Sequence, residues 1–198
     1  MNLPNKLTVG RFALTALFIW ALFSPIPFNH TLALFFFCLA GVSDYLDGRI
    51  ARTRNLITNF GILMDPLADK IMTCSAFIAF VESSHQIPRP PVTVEAWMVI
   101  IIVARELAIT GLRLLAASKN VVLAAERYGK HKTVSQIVAI IALLVVEARD
   151  EWPPSLQRML SGWAPVFVEI ALWVTVVLTA SSGILYLWRN RKLYLSDM

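Results

Sequence analysis

Residues 31–50 read TLALFFFCLAGVSDYLDGRI, and residues 62–81 read ILMDPLADKIMTCSAFIAFV. Each stretch has the length, about 20 residues, that a helix needs to cross the hydrocarbon core of a bilayer. The aspartates lie at the end of the first stretch and at the start of the second, and a short polar connection, residues 53–59, lies between them. The two stretches therefore predict antiparallel membrane helices whose carboxylates lie at a similar depth.

The rest of the chain is just as apolar. Hydrophobic residues make up 57% of it, charged residues 16%, and the mean hydropathy is +0.64, whereas an ordinary soluble domain has about 25% charged residues. Four further apolar windows are found at 10–28, 94–118, 133–148 and 164–188. All six windows are too long and too evenly apolar for barrel strands. The sequence predicts an all-α polytopic membrane protein with six transmembrane helices in a single domain, residues 1–198.

The positions of the cationic residues predict the orientation of these helices. Twelve of the 18 Lys and Arg residues fall on the side that holds both termini and the connections around 49–60 and 119–132, three fall on the other side, and three lie within windows. Cationic residues accumulate on the cytoplasmic side of membrane proteins, so we expect a multi-pass protein of the cell membrane with its acidic segment facing the cytoplasm. The net charge of +5 is then explained by topology and by attraction to membrane lipids, and no nucleic acid is implied.

Four of the six aspartates, Asp44, Asp47, Asp65 and Asp69, fall within one 26-residue segment. Members of each pair are three or four residues apart and so share a helix face. An acidic group at the centre of a bilayer costs about 2.5–3.5 kcal/mol, so the cluster needs a ligand that offsets this cost. Converging carboxylates are typical of sites where Mg²⁺ or Mn²⁺ binds a phosphate-bearing substrate, and two such ions can clamp a phosphoryl group.

Two glycines next to the aspartates support this interpretation. Gly48 and Gly61 would let a bulky ligand approach the backbone. A structural alternative pairs the aspartates with nearby cations and gives the glycines a role in helix packing; those cations are Arg49, Arg52, Arg54 and Lys70. Pro66 is favourable in a first helical turn, which predicts that the second helix begins near Asp65.

This segment resembles the signature of the CDP-alcohol phosphatidyltransferase family. The eight signature residues are Asp44, Asp47, Gly48, Ala51, Arg52, Gly61, Asp65 and Asp69. The resemblance implies that the four aspartates bind two divalent cations and that Asp69 is also the general base. It implies that the remaining four signature residues bind the cytidine diphosphate portion of CDP-diacylglycerol. It also implies a homodimer in which the helices surround a polar cavity open to the cytoplasm.

The fourth window contains three charged residues, Arg105, Glu106 and Arg113. Charged groups in an apolar helix face a cavity or one another. Together with Lys130 and Lys132, the two arginines would form a cationic pocket suited to a phosphate on the acceptor alcohol. The alternative is a structural Glu106–Arg113 pair.

Three short segments are similar to the branch of this family that uses sn-glycerol 3-phosphate as its acceptor. They are AREL at 104–107, LR at 112–113 and GKHKT at 129–133. The resemblance implies that Arg105, Arg113 and Lys132 bind the acceptor phosphate, and that the products are phosphatidylglycerophosphate and CMP. The alternatives are a related transferase with inositol phosphate or serine as acceptor, an intramembrane prenyltransferase, or a divalent-cation transporter.

Overall fold

The computed structural model describes residues 3–53, 59–85, 91–119, 121 and 128–195. Within these ranges all regular structure is helical, which confirms the predicted all-α class. The helices are α1 (Leu3–Phe23), α2 (Asn29–Thr53), α3 (Asn59–Ser83), α4 (Ala96–Ser118), α5 (Tyr128–Ala148), α6 (Pro154–Ser161), α7 (Ala164–Arg189) and α8 (Arg191–Leu195). A 3₁₀ turn, Arg149–Glu151, joins α5 to α6.

Each predicted window coincides with one of the six long helices, and the differences lie at the ends. Helix α1 begins at Leu3 instead of residue 10, and α5 begins at Tyr128 instead of residue 133. Pro4 does not prevent the early start of α1, because a proline in the first turn lacks only an N–H that has no partner within the helix. The short helices α6 and α8 were not predicted, since neither contains a long apolar run.

The expected start of α3 near Asp65 is wrong. The helix begins at Asn59, so Pro66 is its eighth residue. Pro66 cannot donate the hydrogen bond expected within a helix. In lipid, however, a helix satisfies most backbone groups within the segment, whereas a loop would leave them without partners. The backbone hydrogen bonds kept by continuing the helix therefore outweigh the one that Pro66 removes.

The packing of the helices separates an apolar half from a polar half. Helix α1 packs against α2 and α3; α5 contacts α2, α3 and α7; and α4 lies against α3 and α7. Phe18, late in α1, meets Phe37, early in α2, with ring centroids 5.7 Å apart. Other fully buried core residues include Phe77, Phe80, Ile102, Ile140, Leu144 and Val168. This apolar core lies away from the connection between α2 and α3, and we call the half near that connection the aspartate end.

The outer surface of the bundle is apolar. Large apolar side chains are exposed on all six long helices, for example Leu17, Phe35, Ile78, Ile100, Val138 and Ile184. Two stretches of the described helices, His131–Glu151 and Ala164–Arg189, have the length and apolarity of a membrane span. Several of the other long helices carry the charged residues of the site described below, which lowers their hydropathy. A surface of this kind favours contact with lipid.

A polar network joins α2, α3 and α5 at the end opposite to the aspartates. The Glu151 carboxylate accepts hydrogen bonds from the backbone N–H groups of His30 and Thr31, both at 2.9 Å, and so satisfies amides at the start of α2. His30 Nδ1 lies 3.4 Å from Glu147 Oε2, and Ser83 donates a hydrogen bond to Glu147 at 2.7 Å. Two acidic side chains, Glu147 of α5 and Glu151 of the 3₁₀ turn, therefore link α5 to α2 and α3.

This network predicts a pH-dependent stability. His30 precedes the predicted span at residues 31–50, and the neighbouring Glu147 carboxylate raises its pKa above 6.5. Partial burial opposes the rise, and the charges of Glu151 and Asp150 add to it. The folded protein thus binds this proton more tightly than the unfolded chain. Its stabilising effect is fully present below pH 6.5 and is lost as the pH rises through the raised pKa.

We expect His30→Gln to lower the free energy of unfolding by about 1 kcal/mol near pH 6 and by much less near pH 9. Thermal unfolding in detergent at the two pH values measures this difference. Glu147→Gln should remove the same pH dependence, because it removes the main partner of the imidazolium. An equal cost of His30→Gln at both pH values would contradict the assignment.

Candidate active site

Asp44 forms an ion pair across two helices at the aspartate end. Its Oδ1 lies 2.7 Å from Nη1 of Arg11 in α1. Arg11 is fully buried, whereas 48% of the Asp44 side chain is exposed. From the sequence alone, Arg11 counted as one of the cations that set the topology. The structure shows that it fixes the Asp44 carboxylate while leaving about half of that side chain accessible. This partner is none of the four cations considered in the structural alternative.

Asp69 lies on α3 and is half-buried. Its carboxyl is within electrostatic range of two acidic groups, Asp44 and Glu106, and of two cations, Arg11 and Lys132. These neighbours belong to four different helices. The structure therefore brings Asp44 and Asp69 together from α2 and α3, and places them beside the charged residues of α4 and α5.

The other predicted ligands of the donor half lie outside the described side chains. They are Asp47, Gly48, Ala51 and Arg52 on α2, and Gly61 and Asp65 on α3. Helix geometry places Asp47 about one turn from Asp44, and Asp65 about one turn from Asp69. Among the described side chains, no group of three or more His, Cys, Asp or Glu could hold a metal ion. The carboxylates of Asp44 and Asp69 are nevertheless the hard oxygen donors that Mg²⁺ and Mn²⁺ prefer, so the described part of the site fits such an ion.

A buried ion pair joins α4 to α5. Lys132 Nζ contacts the Glu106 carboxylate, and the side chains of both residues are less than 8% exposed. Arg105 Nη1 lies 3.4 Å from the same Glu106 oxygen. One carboxylate thus faces two cations, which leaves an excess of positive charge in this buried region.

Arg113 is placed differently from the other two predicted acceptor ligands. It is exposed, and its guanidinium carbon lies 5.9 Å from the centroid of the Tyr186 ring. The Glu106–Arg113 pair considered from the sequence is therefore not the pairing found, because Glu106 pairs with Lys132 and Arg105. Arg113 lies close to the end of α4, where a long side chain reaches the polar boundary.

Lys70 connects the acidic and the cationic parts of the site. It follows Asp69 on α3, and its Nζ donates a hydrogen bond to the Thr110 hydroxyl on α4. It also lies within electrostatic range of Glu106 and Arg113. Lys70 thus links α3 to α4 at the depth of the predicted active site, a role that its sequence position alone did not indicate.

Helix α7 contributes polar groups that sequence reasoning missed. Ser182 Oγ lies 3.5 Å from Arg105 Nη2. The hydroxyls of Thr175, Thr179 and Tyr186 are buried and find no hydrogen-bond partner among the described residues. The sequence signal was the spacing of Thr175, Thr179 and Ser182, which places small polar residues on one face of an apolar helix.

A groove of about 450 Å³ lies at the opposite end of the bundle, between the starts of α4 and α7. Its walls include Glu95, Glu169 and the mutually tilted rings of Trp97 and Trp173, whose centroids are 5.6 Å apart. None of the predicted site residues lines this groove. The charged cluster at the aspartate end therefore remains the candidate active site.

The chain belongs to the CDP-alcohol phosphatidyltransferase family, whose sequence profile matches residues 1–188. Together with the apolar helices, this membership identifies a membrane protein. Among curated relatives, a protein of Bacillus subtilis (strain 168) is 38% identical over 96% of this chain and 95% of its own length. Proteins of Rickettsia bellii (strain RML369-C) and Escherichia coli (strain K12) are each 32% identical, over 98% and 87% of this chain and 97% and 90% of their own lengths. All three are named CDP-diacylglycerol--glycerol-3-phosphate 3-phosphatidyltransferase.

The buried pair of α4 and α5 predicts a coupled effect on stability. Glu106→Gln would leave Lys132 buried without its counter-charge and beside Arg105, which should cost about 3 kcal/mol. The double change Glu106→Leu with Lys132→Met should recover at least half of this loss, because it removes both charges together. Thermal unfolding in detergent measures both effects.

Glu169→Gln is a matched control, since this residue is exposed and its replacement should change stability by less than about 0.5 kcal/mol. A double variant that is less stable than Glu106→Gln would show that the two charges are not coupled.

Proposed function

We propose that this protein transfers the phosphatidyl group of CDP-diacylglycerol to sn-glycerol 3-phosphate, giving phosphatidylglycerophosphate and CMP. The observation that carries the proposal is that carboxylates, which bind cations, lie close to cationic side chains, which bind phosphate. Asp69 lies within electrostatic range of both Asp44 and Lys132. Lys132 in turn shares the Glu106 carboxylate with Arg105 of α4. A reaction between a diphosphate and a phosphate-bearing alcohol needs both kinds of group side by side.

The donor half of the site comprises the eight signature residues. Asp44, Asp47, Asp65 and Asp69 would hold two divalent cations, Mg²⁺ or Mn²⁺, and the family is in general dependent on divalent metals. Bound cations would stabilise the negative charge that develops on the departing CMP. Gly48, Ala51, Arg52 and Gly61 would bind the cytidine diphosphate portion of the donor.

The acceptor half comprises Arg105, Arg113 and Lys132. Arg105 and Lys132 share a single buried carboxylate, Glu106, so this region keeps an excess of positive charge. A dianionic phosphate would complete the balance. Arg113, at the exposed rim, would meet the phosphate as it enters from the polar side.

Asp69 is the residue best placed to accept the proton of the reacting hydroxyl. The hydroxyl oxygen of the acceptor forms a bond to the phosphorus of the phosphatidyl group, and the bond from that phosphorus to CMP breaks. CMP leaves with the electron pair, and the proton passes to the Asp69 carboxylate. The half-buried position of Asp69, beside both Asp44 and Lys132, supports this role.

The proposed function also requires a particular arrangement in the membrane. We propose that α1 to α5 and α7 all cross the cell membrane as one domain, residues 1–198, with a polar cavity open to the cytoplasm at the aspartate end. The agreement between the six apolar windows and the six long helices supports this topology. The predicted homodimer remains part of the proposal.

The direct test uses the purified protein in detergent with CDP-diacylglycerol, Mg²⁺ or Mn²⁺ and labelled glycerol 3-phosphate. We expect CMP release that depends on both the metal and glycerol 3-phosphate. Serine and inositol phosphate serve as competing acceptors. Preferred use of either one would place the protein among the related transferases, and release of no CMP with any acceptor would contradict the proposal.

Asp69→Asn should lower kcat at least about a hundredfold, because an amide cannot accept the proton. The fold should be kept, since the substitution preserves size and removes a charge that repels Asp44 and Glu106. CMP release measures the activity, and thermal unfolding measures the stability. Asp150→Asn is the matched control: this aspartate is exposed and pairs with Arg149 at 2.9 Å, so its loss should leave turnover unchanged. Wild-type turnover in Asp69→Asn would rule out the general-base role.

A further inference from the structure

The side chain of Arg105 lies directly over the backbone of α7 at Gly183. A Cβ atom added at Gly183 would lie 2.7 Å from Arg105 Cγ, a distance that real Cβ atoms essentially never show. The three nearest heavy atoms to that position, Cγ, Cβ and Cδ, all belong to Arg105. The missing side chain of Gly183 therefore makes room for the stem of one arginine, and not for the close approach of two helix backbones.

The neighbouring residue of α7 contacts the other end of the same side chain. Ser182 Oγ lies 3.5 Å from Arg105 Nη2, and Ser182 is itself buried. The aliphatic part of the Arg105 side chain thus packs on the backbone at Gly183, and its guanidinium lies next to Ser182. Glu106 lies 3.4 Å from the other terminal nitrogen. These contacts leave the guanidinium with few positions that it can adopt.

Further polar groups of α7 and α5 lie buried nearby without partners. The hydroxyl groups of Thr179 and Tyr186 flank Ser182 and Gly183 along α7, and neither has a hydrogen-bond partner within the part of the chain that the structure describes. The side-chain Nε2 group of Gln136, one helical turn from Lys132 on α5, is likewise buried and has no partner among the described residues. Buried polar groups normally find a partner, so these groups are available to form hydrogen bonds with an acceptor bound beside Arg105.

We propose that Gly183 and Ser182 are positioning residues that direct the Arg105 guanidinium toward the acceptor phosphate. The inference rests on the proposed function, in which Arg105 binds that phosphate. It extends the acceptor site from α4 and α5 to α7, a helix that contains none of the signature residues. The affinity for the acceptor then depends on the absence of a side chain at residue 183.

The test compares Gly183→Ala with Gly111→Ala in the reconstituted enzyme. A Cβ atom at Gly111, on the same helix as Arg105, meets nothing within 4 Å. We expect Gly183→Ala to raise the KM for glycerol 3-phosphate about tenfold, with the KM for CDP-diacylglycerol unchanged, and Gly111→Ala to change neither. A general loss of structure would instead lower kcat with both substrates and leave the acceptor KM as it was.

A double-mutant cycle with Arg105→Ala shows whether the effect passes through the arginine. Alanine at 105 keeps only the Cβ atom, which would lie 3.7 Å from a Cβ at residue 183, an ordinary contact. We therefore expect Gly183→Ala to add less than about twofold to the acceptor KM in the Arg105→Ala background. A full additional tenfold there would overturn the inference, because Gly183 would then act through another group.

Ser182→Ala keeps the inference open to refutation if Gly183→Ala does not fold. It removes one contact of the guanidinium and should raise the acceptor KM about threefold. If Gly183→Ala folds, an unchanged acceptor KM in both variants would overturn the inference. If Gly183→Ala does not fold, an unchanged acceptor KM in Ser182→Ala alone would overturn it. Failure of the wild-type protein to use glycerol 3-phosphate would instead refute the proposed function itself.

Discussion

The cost of placing ionised side chains among lipid-facing helices is the constraint on which the rest of this structure depends. Each buried charge must meet an opposite charge or a polar ligand, since the bilayer interior offers neither. At the aspartate end two cross-helix pairs do this: Arg11 with Asp44, and Lys132 with Glu106. Neither pair is formed within a single helix, so the charges also help to fix how α1 packs on α2 and link α4 to α5 through their side chains. In the proposed function, the metal ions and substrates bind the groups left in excess, which are aspartate oxygens on one side and guanidinium and ammonium groups on the other.

One half of the bundle mainly stabilises the fold, and the other half holds the candidate active site. Interlocking rings such as Phe18 and Phe37 pack the half away from the aspartates, where dense apolar contacts give a rigid base. The aspartate end has hydroxyls and ion pairs beside a smaller apolar cluster formed by Ile109, Leu112 and Tyr186. A rigid apolar half can therefore hold the ends of several helices in register around a polar site, even though that site itself contributes little favourable packing.

The sequence predicts those features of the fold that depend on local composition, and fails for those that depend on neighbouring helices. Apolar runs of about 20 residues locate all six long helices, because lipid imposes a minimum length. The start of α3 is mispredicted, because the preference of Pro66 for a first turn is weaker than the need to satisfy backbone groups in an apolar medium. The aspartate cluster is visible in the sequence because its members are close along the chain. Arg11 as the partner of Asp44, and the small residue at 183 beside Arg105, are invisible there, since each pair lies more than 30 residues apart.

The central claim is that metal ions held by the aspartates and a phosphate held by the α4 and α5 cations lie in one site. Mn²⁺, which is paramagnetic, makes this directly measurable through the ³¹P relaxation of glycerol 3-phosphate bound to the purified protein. The account predicts strong Mn²⁺-dependent relaxation of the acceptor phosphorus, lost when Arg105 is replaced by alanine and equally when Asp44 is replaced by asparagine. Glycerol 3-phosphate that binds saturably, yet with no relaxation by bound Mn²⁺, would place the two ligands in separate sites and contradict it.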